Sequence, residues 1–178
     1  LDPHLAVSFL THSYVNLVYS QLVRFAHGPE QKHGGDFTIV PDLAERWEQK
    51  TPTELVFHLR KGVKFHNKPP VNGREVTADD VKWSLDRFMT KSGFRARFDP
   101  VQSVDAVDKY TVRITLKEPN APFLNHLANP SYTAIMPKEA EAQFKDFNRP
   151  EAAIGTGPFV LKAYDKGVRA VFERNPDY

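Results

Sequence analysis

The chain has 178 residues, 40% of them hydrophobic, so it can bury a core as one large domain or two small ones. It contains no cysteine, which excludes disulfides, thiolate metal sites and cysteine catalysis. The formal charge is only +2 with acidic and basic residues interleaved, and no apolar run approaches the roughly 20 residues of a transmembrane helix, so neither nucleic-acid binding nor a membrane span is predicted.

The N-terminal part of the chain predicts a helix, a loop and a short strand. Apolar residues at helical spacing predict the helix from about Ser13 to Val23. A polar stretch with glycines, residues 27–35, predicts an exposed loop, and residues 37–40 predict the strand. A turn begun by proline, residues 41–47, then leads toward the next element.

Alternation of apolar residues predicts a β-hairpin across residues 55–65. The first arm places its apolar side chains on one face. After a reversal at residues 60–62, the second arm returns through Val63 and Phe65. The predicted hairpin therefore has one apolar face.

A helix start is strongly marked after this hairpin. Thr77 has the position of an N-cap, with Asp80 three residues later, which is the spacing of a capping box. Val76 and Val81 have the spacing of a hydrophobic staple, and apolar residues then recur at helical spacing. We expect this helix to pack on the hairpin before it.

The second half of the chain alternates strands and helices without a strict βαβ repeat. This order predicts a mixed α/β fold of the α+β type, in which antiparallel hairpins are prominent. The predicted elements are a hairpin of residues 103–107 and 110–116, a helix of residues 123–127, a helix from Pro137 to about Phe147, and strands of residues 159–164 and 168–173.

No residue pattern predicts a catalytic, metal or cofactor site. His58 and His66, on opposite arms of the predicted hairpin, come nearest to a metal site, but a catalytic zinc ion usually needs three protein ligands. Histidines on a solvated sheet face are the favoured interpretation. Gly155-Thr156-Gly157 lacks the later Gly-Lys-Ser/Thr of a phosphate loop and is interpreted as a turn.

Five short motifs follow one another along the chain. They are PDLAERW at residues 41–47, FHLRKGVKFH at 57–66, TADDV at 77–81, GTGPF at 155–159 and ERNPDY at 173–178. Together they resemble the signature region of the family 5 extracellular solute-binding proteins, the peptide- and nickel-binding receptors of ABC importers. The resemblance covers essentially the whole chain.

The resemblance implies a fold and a domain organisation. It implies one periplasmic-binding-protein-like lobe with mixed sheets and an inserted subdomain, in an N-terminal fragment whose second lobe is absent. Residues 1–40 and 128–178 are expected to belong to the main lobe, and residues 41–127 to form the subdomain with two hairpins and the capped helix. Export to the periplasm or the extracellular space is also expected.

The resemblance further implies which residues face a solute. The end of the first helix matches the family segment that runs along the ligand, and two later segments match positions near the cleft or hinge. The expected ligand-binding residues are Tyr19, Ser20, Gln21, Asn129, Ser131, Tyr132 and Thr156. In the alternative interpretation, Tyr19 belongs to the core, and Ser20 and Gln21 merely end a helix.

The implied function is capture of an oligopeptide or similar small solute between two lobes and delivery to a membrane permease, without catalysis or a cofactor. One alternative is a carrier of a metal chelate, haem or another non-peptide solute. Two others are a metal-dependent hydrolase using His58 and His66, and a module that docks on the permease or on another protein. Unpaired sheet edges predict that the fragment can also dimerise non-physiologically.

Overall fold

The computed structural model describes residues 2–5, 9–147 and 149–178, and for residues 9–13 it describes the backbone only. Leu1, residues 6–8 and Asn148, which the predicted main-lobe segments include, lie outside the described residues. The order of elements confirms the mixed α/β class, and none of the described helices is long and apolar enough to cross a membrane. The helices are α1 (Phe9–Val18), α2 (Ala78–Lys91), α3 (Phe123–Ala128) and α4 (Lys138–Phe144), and the strands are β1 (Val23–Phe25), β2 (Ile39–Pro41), β3 (Ala44–Thr51), β4 (Glu54–Leu59), β5 (Val101–Asp108), β6 (Thr111–Leu116), β7 (Phe159–Asp165) and β8 (Arg169–Arg174).

The largest sheet has four antiparallel strands in the order β3-β4-β6-β5. Its central strands β4 and β6 alternate buried apolar residues with more exposed ones, because one face of the sheet packs on the core. Phe57 of β4 lies opposite Val112 of β6, and both are fully buried. The pairing of β5 with β6 confirms the hairpin predicted in the second half of the chain, and the two strands predicted at residues 159–164 and 168–173 are β7 and β8, which pair with each other.

The predicted hairpin of residues 55–65 is wrong in its second arm. Strand β4 pairs with the preceding strand β3, with Phe57 opposite Trp47. The segment of residues 41–47, predicted as a turn, therefore contains the start of β3. Residues 63–65 bond instead to residues 74–76 through backbone hydrogen bonds of 2.9 and 3.0 Å. The apolar pattern missed β3 because it is an edge strand with mostly exposed side chains.

Helix α2 begins as its capping box predicts. The Thr77 backbone N–H donates to the Asp80 carboxylate at 2.9 Å, and Arg74 holds the same carboxylate with two N–H groups at 2.6 and 2.8 Å. The helix buries Val81 and Leu85 and packs chiefly on β5 and β6, not on the predicted hairpin of residues 55–65. Its apolar stripe thus covers the half of the sheet that follows it in sequence.

Helix α1 ends at Val18, earlier than predicted. Beyond it, Gln21 donates its backbone N–H to the Asp42 carboxylate at 2.7 Å. The carbonyl groups of residues 21 and 22 accept the backbone N–H groups of residues 43 and 44 at 3.0 and 2.9 Å. These tertiary hydrogen bonds take the place of helical ones, and local apolar spacing does not reveal them.

Buried apolar side chains from residues 41–127 and from the flanking segments form one hydrophobic cluster. Pairing of β1 with β2 sets Val23 opposite Pro41, across the predicted boundary of the subdomain. Helix α2 also reaches the following segment, since the Ser84 hydroxyl accepts the Met136 N–H at 2.9 Å and donates to the Met136 carbonyl at 3.1 Å. The division into main lobe and subdomain stays a prediction.

Replacing Ser84 by alanine tests the contact between α2 and the segment after α3. Ser84→Ala leaves the buried N–H and carbonyl of Met136 without their partner, so we expect the free energy of unfolding to fall by about 1–3 kcal/mol. Denaturant unfolding of the 178-residue chain measures this change. Thr90→Ala, which removes an exposed hydroxyl from the same helix, is the matched control and should change stability by less than about 0.5 kcal/mol. Equal effects of the two substitutions would contradict the assigned role of Ser84.

Candidate functional site

Two neighbouring cavities, of about 790 and 360 Å³, together form an open groove. We call them the larger and the smaller compartment. They have a shared wall, formed by the residues that line both: Ser20, Arg24, Asp42 and Tyr178. The groove therefore lies where the segment after α1 meets the segment between β2 and β3.

The larger compartment is lined chiefly by charged side chains. The segment after β4 contributes Arg60, Lys61 and Lys64, while Glu45 of β3 and Asp177 contribute acidic groups. Basic and acidic groups thus occur on the same cavity surface. This mixture suits a polar solute that carries charges of both signs.

The smaller compartment is lined chiefly by apolar and aromatic side chains. Phe25 of β1 forms part of this lining and is held edge-to-face by Phe37, with ring centroids 5.4 Å apart. The polar side chains of Asn16 and His27 also line it. The remaining apolar and aromatic lining comes from Tyr19, Ala26, Ala128, Pro130, Pro158 and Tyr178. The compartment therefore offers a surface for an apolar group.

The charged groups of the shared wall are already bonded within the chain. Asp42 accepts the Gln21 N–H through its carboxylate at 2.7 Å, and the Asp42 carbonyl accepts the Arg60 Nε–H at 2.8 Å. Burial raises the pKa of the Asp42 carboxyl, whereas the hydrogen bond from the Gln21 N–H and the charges of Arg24 and Arg60 oppose the rise. Arg24 is held by Glu30 through two hydrogen bonds of 2.6 and 3.0 Å. The wall is therefore fixed before any solute arrives.

A glycine-containing turn, residues 155–158, lies between the groove and the end of α1. The Gly157 N–H donates to the Val18 carbonyl at 2.8 Å. A Cβ atom at Gly157 would lie 2.6 Å from the Leu17 carbonyl oxygen, and one at Gly155 would come even closer to the Val18 oxygen. Such approaches are too short for any side chain, so glycine is required at both positions.

Four of the predicted site residues meet at the groove. Ser20 lies in the shared wall, Tyr19 and Gln21 line the smaller compartment, and Thr156 lines the larger one. The hydroxyl oxygens of Tyr19 and Thr156 are closed to solvent and have no hydrogen-bond partner among the described residues, and burial raises the pKa of the Tyr19 hydroxyl. Neither hydroxyl is available to a solute in this arrangement, so these two residues shape the groove.

The Gln21 side chain has a structural role beside its place in the groove. Its amide N–H groups donate to the Asn129 carbonyl at 2.6 Å and to the Thr133 hydroxyl at 2.9 Å. These two hydrogen bonds hold the segment after α3 against the segment after α1. Gln21 therefore positions the smaller compartment through its side chain.

The other three predicted site residues are not among those that line the groove. Asn129 accepts the Ser131 backbone N–H through its side chain at 2.9 Å, which forms a local turn. Tyr132 belongs to an aromatic cluster, with its ring 5.3 to 6.2 Å from those of Phe94, Phe88 and His126. As ligand contacts, Asn129, Ser131 and Tyr132 stay predictions, and the two compartments give them no support.

The two histidines considered for metal binding have separate partners. His58 is partly exposed on the sheet, where its Nε2 lies 3.0 Å from a Glu48 carboxylate oxygen. His66 is buried, with Nε2 3.0 Å from the Gly157 carbonyl oxygen, so the expected solvated position is wrong for His66. No group of three metal-ligating side chains occurs in the described part of the chain.

The sequence interpretation missed most of the polar lining of the groove. Arg24, Asp42 and the basic residues after β4 were not predicted as site residues. Asp42 and Arg60 lie within two of the five recognised motifs, at residues 41–47 and 57–66. The signal was therefore present in the sequence, but it was used to identify the family and not to locate the site.

Replacing Gly155 by alanine tests the close packing behind the groove. The new methyl group would meet the Val18 carbonyl, which is backbone and cannot rotate away, so we expect the free energy of unfolding to fall by about 1–3 kcal/mol or more. Thermal unfolding of the 178-residue chain measures it. Gly34→Ala is the control, because a Cβ there meets nothing within 4 Å, and it should be nearly neutral. An equally neutral Gly155→Ala would show that the turn packs less closely than described.

Most of this chain matches a known protein family. Residues 38–178 match the family described as bacterial extracellular solute-binding proteins, family 5 Middle. Di/tripeptide-binding protein 4 of Pseudomonas aeruginosa strain UCBPP-PA14 is 36% identical, over 90% of this chain and 32% of that protein. The chain thus spans about a third of the length of the curated relatives that it matches.

Solved structures agree with this match in fold. The periplasmic binding protein MoaA of A. tumefaciens R10, in complex with mannopinic acid, is 34% identical, with a TM-score of 0.84 over 100% of this chain and 35% of that one. DppA of Helicobacter pylori, in complex with the peptide STSA, is 29% identical, with a TM-score of 0.79 over 99% of this chain and 37% of that one. The chain has the fold of part of a periplasmic binding protein, and it belongs to the family 5 bacterial extracellular solute-binding proteins.

Proposed function

We propose that the chain supplies one wall of the binding cleft in a receptor that captures a di- or tripeptide. Its relatives carry the names of di/tripeptide- and dipeptide-binding proteins. Since the chain spans about a third of their length, the capture of solute by a complete, two-lobed receptor is part of the proposal. The receptor delivers its solute to an ABC permease in the membrane and works in the periplasm or outside the cell.

The two-compartment groove is the observation that carries this proposal. A short peptide has an ammonium group and a carboxylate group at its ends and side chains between them. The mixed charges of the larger compartment match the peptide ends, and the aromatic lining of the smaller compartment matches an apolar side chain. The two compartments adjoin one shared wall, so a single solute can contact both.

A binding role without catalysis is also part of the proposal. The charged groups of the shared wall already have partners within the chain, as in Arg24 with Glu30. A hydrolase would need a nucleophile or a metal ion aligned with a base. His58 and His66, the only candidates raised for that role, have different neighbours, which disfavours a hydrolase.

The proposed receptor retains the predicted organisation. Residues 41–127 form a subdomain beside the main lobe, to which residues 1–40 and 128–178 belong. Docking of the permease on this chain and dimerisation through unpaired strand edges remain predictions of the same scheme.

A non-peptide acid is the second candidate solute. The solved structure of MoaA with mannopinic acid aligns with the whole of this chain. Three basic side chains after β4 line the larger compartment and would favour a carboxylate-rich ligand. A metal chelate or haem is a further outcome that the experiment below would recognise.

The experiment is native mass spectrometry of the full-length receptor, purified without denaturation from its own host. A series of short-peptide masses released on denaturation would support the proposal, whereas a single mass of another solute would overturn peptide capture. Calorimetric titration with Ala-Phe, Ala-Ala-Ala and mannopinic acid then ranks the candidate solutes. We expect the peptides to bind with micromolar or tighter affinity.

Ser20 offers a direct test of the groove, because its small side chain lies between the two compartments. Ser20→Leu in the full-length receptor should weaken Ala-Phe binding at least about tenfold, since the added atoms occupy solute volume. Ser131→Leu makes the same change at a predicted site residue away from the groove, and should leave binding within about twofold. Melting temperatures establish that both variants are folded. If Ser131→Leu weakens binding and Ser20→Leu does not, the solute lies elsewhere.

A further inference from the structure

His66 is buried against the turn of residues 155–158 and bonds to it at three points. Its backbone N–H donates to the Gly155 carbonyl at 2.8 Å. Its ring Nδ1 accepts the Gly155 N–H at 3.3 Å, and its ring Nε2 lies 3.0 Å from the Gly157 carbonyl oxygen. The side chain is 1% exposed, so both ring nitrogens are satisfied by this turn alone.

These partners determine the protonation state of the ring. A backbone N–H can only donate, so Nδ1 must be unprotonated to accept from Gly155. A carbonyl oxygen can only accept, so Nε2 must carry the proton that it donates to Gly157. Only the neutral imidazole with its proton on Nε2 satisfies both partners. A proton added to Nδ1 would face the Gly155 N–H, and this hydrogen bond would be lost.

The turn held by His66 forms part of the groove. Thr156 lines the larger compartment and Pro158 lines the smaller one. Glycines on both sides of Thr156 provide no side chain to hold the turn, so its position depends on backbone hydrogen bonds. The other bonds to Gly157 come from the Val18 carbonyl, which accepts its N–H at 2.8 Å, and from the Asn175 side chain, which donates to its carbonyl at 3.0 Å.

We propose that neutral His66 is a positioning residue for solute binding: it holds the Gly155–Pro158 turn through both ring nitrogens, and protonation of the ring releases the turn from the groove. This inference rests on the proposed function, since it assumes that the groove binds the solute. A receptor whose turn is partly released must reorder it on binding. Its apparent affinity then falls in proportion to the fraction of molecules with the turn in place.

The surroundings of His66 set the direction of the pH dependence. Burial lowers the pKa of the His66 ring, and the positive charge of Lys68 lowers it further, while the bond to the Gly157 carbonyl opposes the change. Among the described residues, Lys68 is the charged side chain whose charge acts on the His66 ring, and its amine donates to the carbonyls of Pro150 at 2.6 Å, Leu161 at 3.2 Å and Ala153 at 3.3 Å.

A histidine with a lowered pKa in the folded protein stabilises it most fully above its unfolded pKa, near 6.5. This contribution declines as the pH falls below that value and is lost as the pH passes through the folded pKa. Ala-Phe binding should therefore weaken as the pH falls below about 6.5, by up to about fivefold to tenfold once the ring is protonated, the effect of losing one or two ordinary hydrogen bonds.

The experiment compares four variants of the full-length receptor. His66→Asn keeps an amide oxygen near the position of Nδ1, and His66→Gln keeps an amide nitrogen near that of Nε2, so each variant preserves one of the two side-chain contacts. Neither side chain titrates. The matched controls are His58→Asn and His58→Gln, because His58 is bonded to Glu48 on the sheet and not to the turn.

Dissociation constants for Ala-Phe are measured by calorimetry at pH 7 and pH 5. We expect the wild type and both His58 variants to lose affinity on acidification. Both His66 variants should bind a few-fold more weakly than the wild type at pH 7 and should lose little more at pH 5. A His66 variant with the same pH dependence as the wild type would overturn the proposal.

Hydrogen exchange at Gly155 and Gly157 provides a readout that does not depend on the solute. Protection of the Gly155 amide, corrected for the intrinsic effect of pH, should fall on acidification in the wild type and stay constant in the His66 variants. Unchanged protection in the wild type overturns the proposal even if affinity changes. If Ala-Phe does not bind at any pH while protection falls as expected, the peptide hypothesis fails and the role of His66 in holding the turn stands.

Discussion

The backbone of residues 155–157 lies directly against the last carbonyl groups of α1, and the groove depends on this contact. Side chains are excluded there because a Cβ atom at either glycine would overlap a carbonyl oxygen. The Val18 carbonyl, left without a helical partner at the end of α1, is satisfied by Gly157. The same contact thus satisfies the end of the helix and brings Thr156 to the edge of the larger compartment. A shift of this contact would alter both compartments together.

Charge in the groove is balanced by neighbours within the chain. The Asp42 carboxylate accepts a backbone N–H, and Arg24 is tied to Glu30 outside the groove. Groups held in this way are already oriented and need little rearrangement when a solute replaces water. A preformed wall of this kind suits a scaffold that serves different solutes, because the wall supplies shape and general polarity while other contacts select the ligand.

Local signals in the sequence predicted the elements whose stability is local. The capping box at Thr77 and Asp80 and the alternation along β6 led directly to the observed helix start and hairpin. Strand β3 and the true end of α1 could not be found in this way, because the first has an exposed, polar sequence and the second is set by Asp42, far along the chain. Family resemblance pointed to Ser20, which lines the groove, but it gave no means to separate the lining from the Asn129 turn, which packs behind it.

Strand β3 has a further consequence, which concerns the chain while it folds. It forms one edge of the four-stranded sheet, and its exposed side chains include Glu45, Arg46 and Lys50. Arg46 and Lys50 each form an ion pair with Glu48. Charged side chains on an edge discourage the addition of a strand from another molecule. The β7-β8 hairpin also carries exposed ion pairs, Lys162 with Glu173 and Arg169 with Asp165, but it exposes Val168 and Val171 beside them. The exposed valines therefore leave the β7-β8 hairpin more open to pairing with another chain during refolding than the edge formed by β3.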